Sequence, residues 1–311
     1  MIIRNHLPAL SLAAVLGGLL ACAGCGGGAE THATTGGSSS SASGGDAGPA
    51  ADRGPTSLTV DGDPNGLFWD DATDTLYIAD SDNNRVLTWT DAARFASLAD
   101  LPKAPQDGPG LGQLVKTADG TLVVVRFGFG TVGDVVFVEP GGTTGTVPNL
   151  DPQKRRIGLT VAPDGTLFDG YFVKSATSDY GAVARLDLKG TEIDVIQGLD
   201  KPIGVLAIGG SLYVTDQGKG TVLVSPLGMP DKDVVLAMLD EPDLLCPGPN
   251  GSIYTGGADI RQITADGTVT TFASGFSSVR GVAYDPTHRR VFASNHSLTG
   301  GPNKLEIRPV D

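Results

Sequence analysis

The chain has 311 residues, 22 of them Lys or Arg and 35 Asp or Glu, which gives a formal charge of −13 with the four histidines neutral. So acidic a surface lacks the basic patches that nucleic acid and anionic lipid headgroups need, and it excludes both as partners of the folded part. Of three cysteines, Cys22 and Cys25 lie near the start, so Cys246 is alone in the remainder and no internal disulfide can form there.

The first element in chain order is an export signal over residues 1–21: Arg4, then an apolar run from Leu7 to Ala21 ending in small residues. The run is shorter than the roughly 20 apolar residues that a membrane-spanning helix requires. Leu19-Leu20-Ala21-Cys22 resembles the lipobox of bacterial lipoproteins. That resemblance implies cleavage before Cys22 and acylation of its sulfur and new amino group, with Cys25 as the alternative site. Several acyl chains on one residue suffice for stable anchoring. Ala23 follows the modified cysteine where a retained inner-membrane lipoprotein would have Asp, so the expected location is the cell envelope, at the outer membrane or cell surface. Residues 22–55 complete the anchor region. From 26 to 55 they are Gly-, Ser- and Ala-rich without one large apolar side chain, which makes them a tether with a reach of roughly 30 Å.

From residue 56 to 311 one unit recurs. Turn-forming pairs followed by a short β-branched or aromatic run are centred on Leu76, Leu122, Leu167, Leu212, Ile253 and Val291, at intervals of 38 to 46 residues. Repeats of this length, built of short strands with period-two alternation and Gly, Asp or Asn turns, predict an all-β chain: a six-bladed β-propeller with four strands per blade. In the fourth unit Ile203 to Ile208 reads as the inner strand, SLYVT as the second, TVLVSP as the third and DVVLAML as the fourth. Asp91 to Ala99 is the single helix-like stretch and fits a surface connection. The last unit ends at its third strand, KLEIRPVD, and Ser57 to Gly62 is expected to supply the missing outer strand and close the ring.

Asp80, Asp82 and Asn84 alternate as in the first half of a calcium loop. Aligning LYIADSDNNRV with the fourth unit sets Asp80 opposite Asp216, Asp82 opposite Gly218 and Asn84 opposite Gly220. What Asp, Asn and Gly share is tolerance of left-handed backbone angles, so the common need is a tight turn. A calcium loop also wants Gly at its sixth position and Glu at its twelfth, where this chain has Arg85 and Asp91.

The run LYIADSDNNRV resembles an NHL repeat, and residues 57 to 311 are similar to six-bladed propellers that include the gluconolactonase/regucalcin family. In such a disc the residues opening the inner strands encircle the axis on the top face. By alignment these are Asn65, Leu111, Ile157, Ile203, Asp243 and Arg280. The resemblance implies one divalent cation there, held by a Glu, two Asn and an Asp. Carried over, the Glu falls on Asn65, one Asn near Leu111 or Gly112, the other on Ile157 and the Asp on Ile203, so no carboxylate survives in place. Asn65 and Asp243 remain as a differently arranged metal site, with Arg280 expected to pair with Asp243 instead.

The upper turns carry the other binding candidates. Arg126 to Gly133, RFGFGTVG, offers Arg126, Phe127 and Phe129; YFVKSATSDYG offers Lys174 and Tyr180; SNHSLTGGPN offers His296, and Asp216 sits on the fourth turn. Aromatic and Arg residues on one rim suit recognition. His296 lacks a Ser, Cys or second His as catalytic partner, and Cys246 reads as a buried small hydrophobe. The expectation is a lipid-anchored monomer whose top face binds a protein or small molecule, as a binding or scaffold module without a cofactor. The alternative is a divergent lactonase of the gluconolactonase type using one divalent cation such as calcium.

Overall fold

A computed structural model describes residues 54–106, 108–175 and 179–311. The expected signal peptide, the lipidated cysteine and the tether up to residue 53 lie outside these residues. Six four-stranded antiparallel sheets form a β-propeller, and the helix among the described residues amounts to two single turns, Gly128–Gly130 and Pro249–Gly251.

The inner strands are Pro64–Asp70, Leu111–Lys116, Arg155–Val161, Pro202–Ile208, Leu245–Pro247 and Val279–Asp285. All six repeat anchors fall on the second strands, Thr75–Asp80, Leu122–Arg126, Leu167–Val173, Ser211–Asp216, Ile253–Thr255 and Arg290–Asn295. Each inner strand packs against the inner strand of the following blade, and that of the sixth packs against that of the first. The sixth blade has Thr56–Thr59 as its outermost strand, paired antiparallel with Lys304–Pro309 so that Thr56 faces Ile307 and Thr59 faces Lys304.

A single four-stranded sheet leaves both faces wet, so stacking blades is what removes the apolar side chains from water. Between the sixth blade and the first, Trp69 and Trp89 both pack on Phe292 with ring centroids 5.3 Å apart. Leu76 and Ile78 are fully buried in the same cluster. Each such side chain contributes about 1.5–3 kcal/mol through burial.

The stretch from Asp91 to Ala99 is not a helix. Arg94–Asp100 is the outer strand of the first blade and pairs along Arg85–Thr90. Thr90 Oγ1 accepts the Ala93 N–H, and Arg94 turns through φ 58° to begin the strand. The Ala-rich composition favours helix locally, but the free edge of the third strand offers a full ladder of hydrogen bonds, and pairing wins.

Candidate functional site

Two turns per blade build the top face. The last residue of a second strand grips the segment that leads into the inner strand of its own blade. Asp80 is fully buried: its Oδ1 accepts the Asp63 N–H at 3.0 Å, and its Oδ2 accepts from Asn83 Nδ2 at 2.9 Å and Arg85 Nε at 2.7 Å. Asp216 does the same for the N–H groups of Asp200 and Lys201, at 3.0 and 2.8 Å, and Asn295 for that of Ser277 at 2.9 Å. Asn84 and Gly220, aligned from sequence, both have left-handed backbones, φ 49° and 62°. Asp80 and Asn84 of the alternating series thus serve a turn, and Asp216, a binding candidate from sequence, faces its own backbone.

Beneath these turns the inner strands approach the axis closely. A Cβ on Gly66, Gly112, Gly158, Gly204 or Gly281 would lie 2.0–2.8 Å from a backbone oxygen of the next blade. Only glycine fits such an approach. The fifth blade has Leu244 at this level, and there Gly256 makes the close approach instead, to the Val279 oxygen. The residue preceding each of these positions is thereby brought to the shaft.

Asn65, Leu111, Ile157, Ile203, Asp243 and Arg280 all line one cavity of about 350 Å³. Asp63, Ser81, Gly110, Phe127, Phe129, Lys201 and Gln217 complete its wall. A second, apolar cavity of about 200 Å³ is lined by residues further along the inner strands, among them Leu67, Val115, Leu159 and the buried Cys246, whose thiol burial pushes up.

Charge in the upper cavity is arranged differently from the sequence expectation. Arg280 pairs with Asp63, not Asp243: Nη1 stands 3.2 Å from Asp63 Oδ2. His296 joins the same acid, its Nδ1 2.8 Å from Asp63 Oδ1. The reason is blade order. Asp63 opens the first blade, which abuts the sixth that carries Arg280 and His296. Asp243 Oδ1 accepts the N–H of Leu244 at 2.9 Å, and no other side chain hydrogen-bonds to this carboxyl among the described residues. The protein around this half-buried group strips water from it and pushes its carboxyl up to about 7; the Leu244 N–H and the positive charges of Arg280 and Lys201 act in the opposite sense. Lys201 forms no ion pair among the described residues, and its ammonium donates to Gln217 Oε1. Asn65 Nδ2 donates to the Leu111 oxygen at 2.6 Å, leaving its Oδ1 to the cavity.

The rim divides in two. Arg126 is not exposed: it is 1% accessible, with Nη1 3.1 Å from Asp134 Oδ2 and Nη2 donating to Asn84 Oδ1 at 2.9 Å and to the Pro102 oxygen. It occupies the position that Asp80, Asp216 and Asn295 hold in their blades, inside the disc. Phe127 and Phe129 do reach the cavity, in edge contact at 4.8 Å, with Phe129 half exposed. Gly128, Phe129 and Gly130 are consecutively left-handed, and Phe129 at φ 49° is an uncommon conformation for a bulky side chain. Tyr180 stands apart from the cavity, its hydroxyl donating to Asp194 Oδ2 at 3.2 Å. Residues 176–178 of its loop lie outside the described residues.

Sequence reasoning missed Asp63, Lys201, Ser81 and Gln217. The repeat holds a signal for all four. Asp63 and Lys201 each precede the proline that opens an inner strand, and Ser81 and Gln217 each follow the gripping Asp, as Phe127 follows Arg126 and His296 follows Asn295.

The donor set does not fit the divalent cation that the resemblance implies. Leu111, Ile157 and Ile203 present hydrocarbon at its ligand positions, and Lys201 and Arg280 bring positive charge to the same space. Among the described residues no three His, Cys, Asp or Glu side chains are grouped so as to hold a metal ion.

No protein-family model matches the chain, and no curated protein matches it. Solved structures do. A gluconolactonase from Xanthomonas campestris is 19% identical, over 81% of this chain and 86% of that one, with a TM-score of 0.64. Regucalcin from Agrobacterium tumefaciens, a calcium-binding protein, is 14% identical over 82% and 94%, with a TM-score of 0.62. A luciferin-regenerating enzyme is 15% identical over 82% and 95%, with a TM-score of 0.64. These neighbours are gluconolactonase/regucalcin-like six-bladed propellers, and at such identities the likeness is one of fold.

Proposed function

We propose that this protein is an exported propeller, lipid-anchored through Cys22 at the outer membrane or cell surface, that binds a small molecule in the cavity on its top face. The observation carrying this reading is the convergence of all six inner-strand openings on one space of about 350 Å³, where Asn65, Lys201, Gln217, Asp243 and Arg280 face Phe127 and Phe129. A mostly preformed cleft with few polar groups and an apolar wall is the usual form of a ligand site. Crystals of the full chain grown or soaked with a small-molecule library test the reading. Electron density in the upper cavity is expected; ligands recovered only at outer strands or blade edges would refute it.

A lactone hydrolase is the second reading. The neighbours named as gluconolactonases favour it, and so does Asp243, whose proton is exchangeable near neutral pH. In that role Asp243 takes a proton from an attacking water while Lys201 and Arg280 face the oxygen that gains negative charge. Glucono-δ-lactone hydrolysis by the wild type, lost in Asp243→Asn and unchanged by added calcium or zinc, would establish it. No acceleration over the uncatalysed rate removes it.

A further inference from the structure

Lys201 and Arg280 both line the upper cavity, where the resemblance implies a divalent cation, and bring positive charge to it. Resting on the reading of the upper cavity as a small-molecule site, we infer that it takes a monocarboxylate with a compact apolar body, its carboxylate held by Lys201 and Arg280 and its body against Phe127 and Phe129.

Counting charge around the cavity leads there. Arg280 is balanced by Asp63, which also holds His296. Lys201 has no anionic partner within ion-pair distance among the described residues; it is half-buried, and Gln217 is its one side-chain hydrogen-bond acceptor. The remaining carboxyl is Asp243, which burial keeps protonated below about pH 7. Asp82, which acts on Arg280, and Glu241, which acts on Asp243, stand outside the wall; among the side chains that line the cavity one positive charge is left over. An anion of charge −1 neutralises it, whereas a cation meets two like charges at short range. A carboxylate, with two oxygens and acceptor capacity only, matches the donors present: the Lys201 ammonium, the Arg280 Nη2 and Nε, which have no hydrogen-bond acceptor among the described residues, and the protonated Asp243 hydroxyl.

The apolar side is equally defined. Leu111, Ile157 and Ile203 form the floor. Phe127 leans on Phe172 at 5.9 Å and is fixed by it, while Phe129 projects half exposed from a loop held by hydrogen bonds from Phe127 N and Gly128 N to the oxygens of Gly110 and Pro109. An edge-to-face aromatic pair offers a further ring a site at its open side. A purely polar anion leaves this wall unused.

Deprotonation of Asp243 adds a negative charge beside the carboxylate and removes one donor. The groups facing it are Arg280 and Lys201, which hold its carboxyl down, and Glu241, which raises it. Affinity for the anion is therefore highest below pH 7 and falls above it.

The test is titration calorimetry of the full chain at pH 6 with three nearly isosteric probes, phenylacetate, phenylacetamide and phenethylamine, and with calcium chloride. Phenylacetate is expected to bind at least tenfold more tightly than the amide, the amine and calcium to give no heat, and Lys201→Gln to lose about tenfold for phenylacetate while melting at the wild-type temperature. Arg280→Gln is not used as the main variant because it strips Asp63 of its partner. Equal or tighter binding of the amide or amine overturns the carboxylate assignment and leaves the cavity a ligand site. Tight binding of calcium overturns the replacement of metal by side-chain cations. No heat from phenylacetate overturns the carboxylate assignment, and if the library also yields no density in the cavity the reading it rests on falls with it.

Discussion

Asp243 offers a direct measure of how dry the upper cavity is. Its carboxyl stands at about 7 in the folded protein against an ordinary 3.8 when the chain is unfolded. A raised folded value means that the native state holds the proton more tightly. Below about pH 3 both states are protonated and the group costs nothing. As pH rises from there to about 7 the unfolded chain ionises first, so stability drains away, and above 7 the full difference of about 4 kcal/mol is lost, at 1.36 kcal/mol for each unit. Asp243→Asn keeps an oxygen to accept the Leu244 N–H but cannot ionise. At pH 4.5, where the unfolded carboxyl is already mostly ionised, the variant should melt only about 2–4 °C above the wild type. At pH 8 it should melt about 10 °C higher, taking 2–4 °C for each kcal/mol in a domain of this size. Thermal melts followed by far-ultraviolet circular dichroism at both pH values decide the matter. The buried Asp169, whose carboxyl its own burial pushes up, is the same in both proteins and cancels in the comparison. A difference between variant and wild type that is the same at pH 4.5 and pH 8 would refute the argument, because it would mean that Asp243 is as well hydrated in the cavity as in water.

Three further outcomes follow from contacts elsewhere in the disc. Gly281→Ala sets a Cβ 2.0 Å from the Asn65 oxygen and should cost at least about 2 kcal/mol in urea unfolding, since a backbone clash between blades has no side chain to absorb it. Arg126→Gln leaves Asp134 and the Pro102 oxygen without their cation and should destabilise by about 3–5 kcal/mol, whereas Tyr180→Phe, which removes a half-exposed hydrogen bond, should stay within about 1 kcal/mol; equal effects would restore Arg126 to the rim. Millimolar calcium should leave the melting temperature unchanged, because the Asp80 carboxylate is already taken by Asp63 N, Asn83 and Arg85; a clear rise would show that the first-blade turn is a metal loop after all.

The residues that build the upper cavity were legible to very different degrees. Asn65, Leu111, Ile157, Ile203, Asp243 and Arg280 could be picked out because each stands at the same place in a repeat, and a repeat needs no partner to be seen. Arg126 was misread for want of the same comparison: in sequence it sits beside Phe127 and Phe129 in a glycine-rich loop, yet in register it matches Asp80 and Asp216, which point inward. The pairing of Arg280 with Asp63 was not legible either, since more than 200 residues separate them along the chain and only the abutment of the sixth blade on the first brings them together.

Local pattern determined the strands, their turns and the number of blades, because each depends on residues within a few positions of one another: period-two alternation, and Asp, Asn or Gly where the backbone must turn left-handed. It also determined that hydrocarbon side chains, Leu111, Ile157 and Ile203, stand where the resemblance would put oxygen ligands. Tertiary structure alone decided which charges neutralise each other, which leave Lys201 without an anion, and that Asp91 to Ala99 yields its helical leaning to an unpaired strand edge. Charge pairing and edge pairing are set by distance in space, and in a disc of stacked sheets that distance bears no relation to separation along the chain.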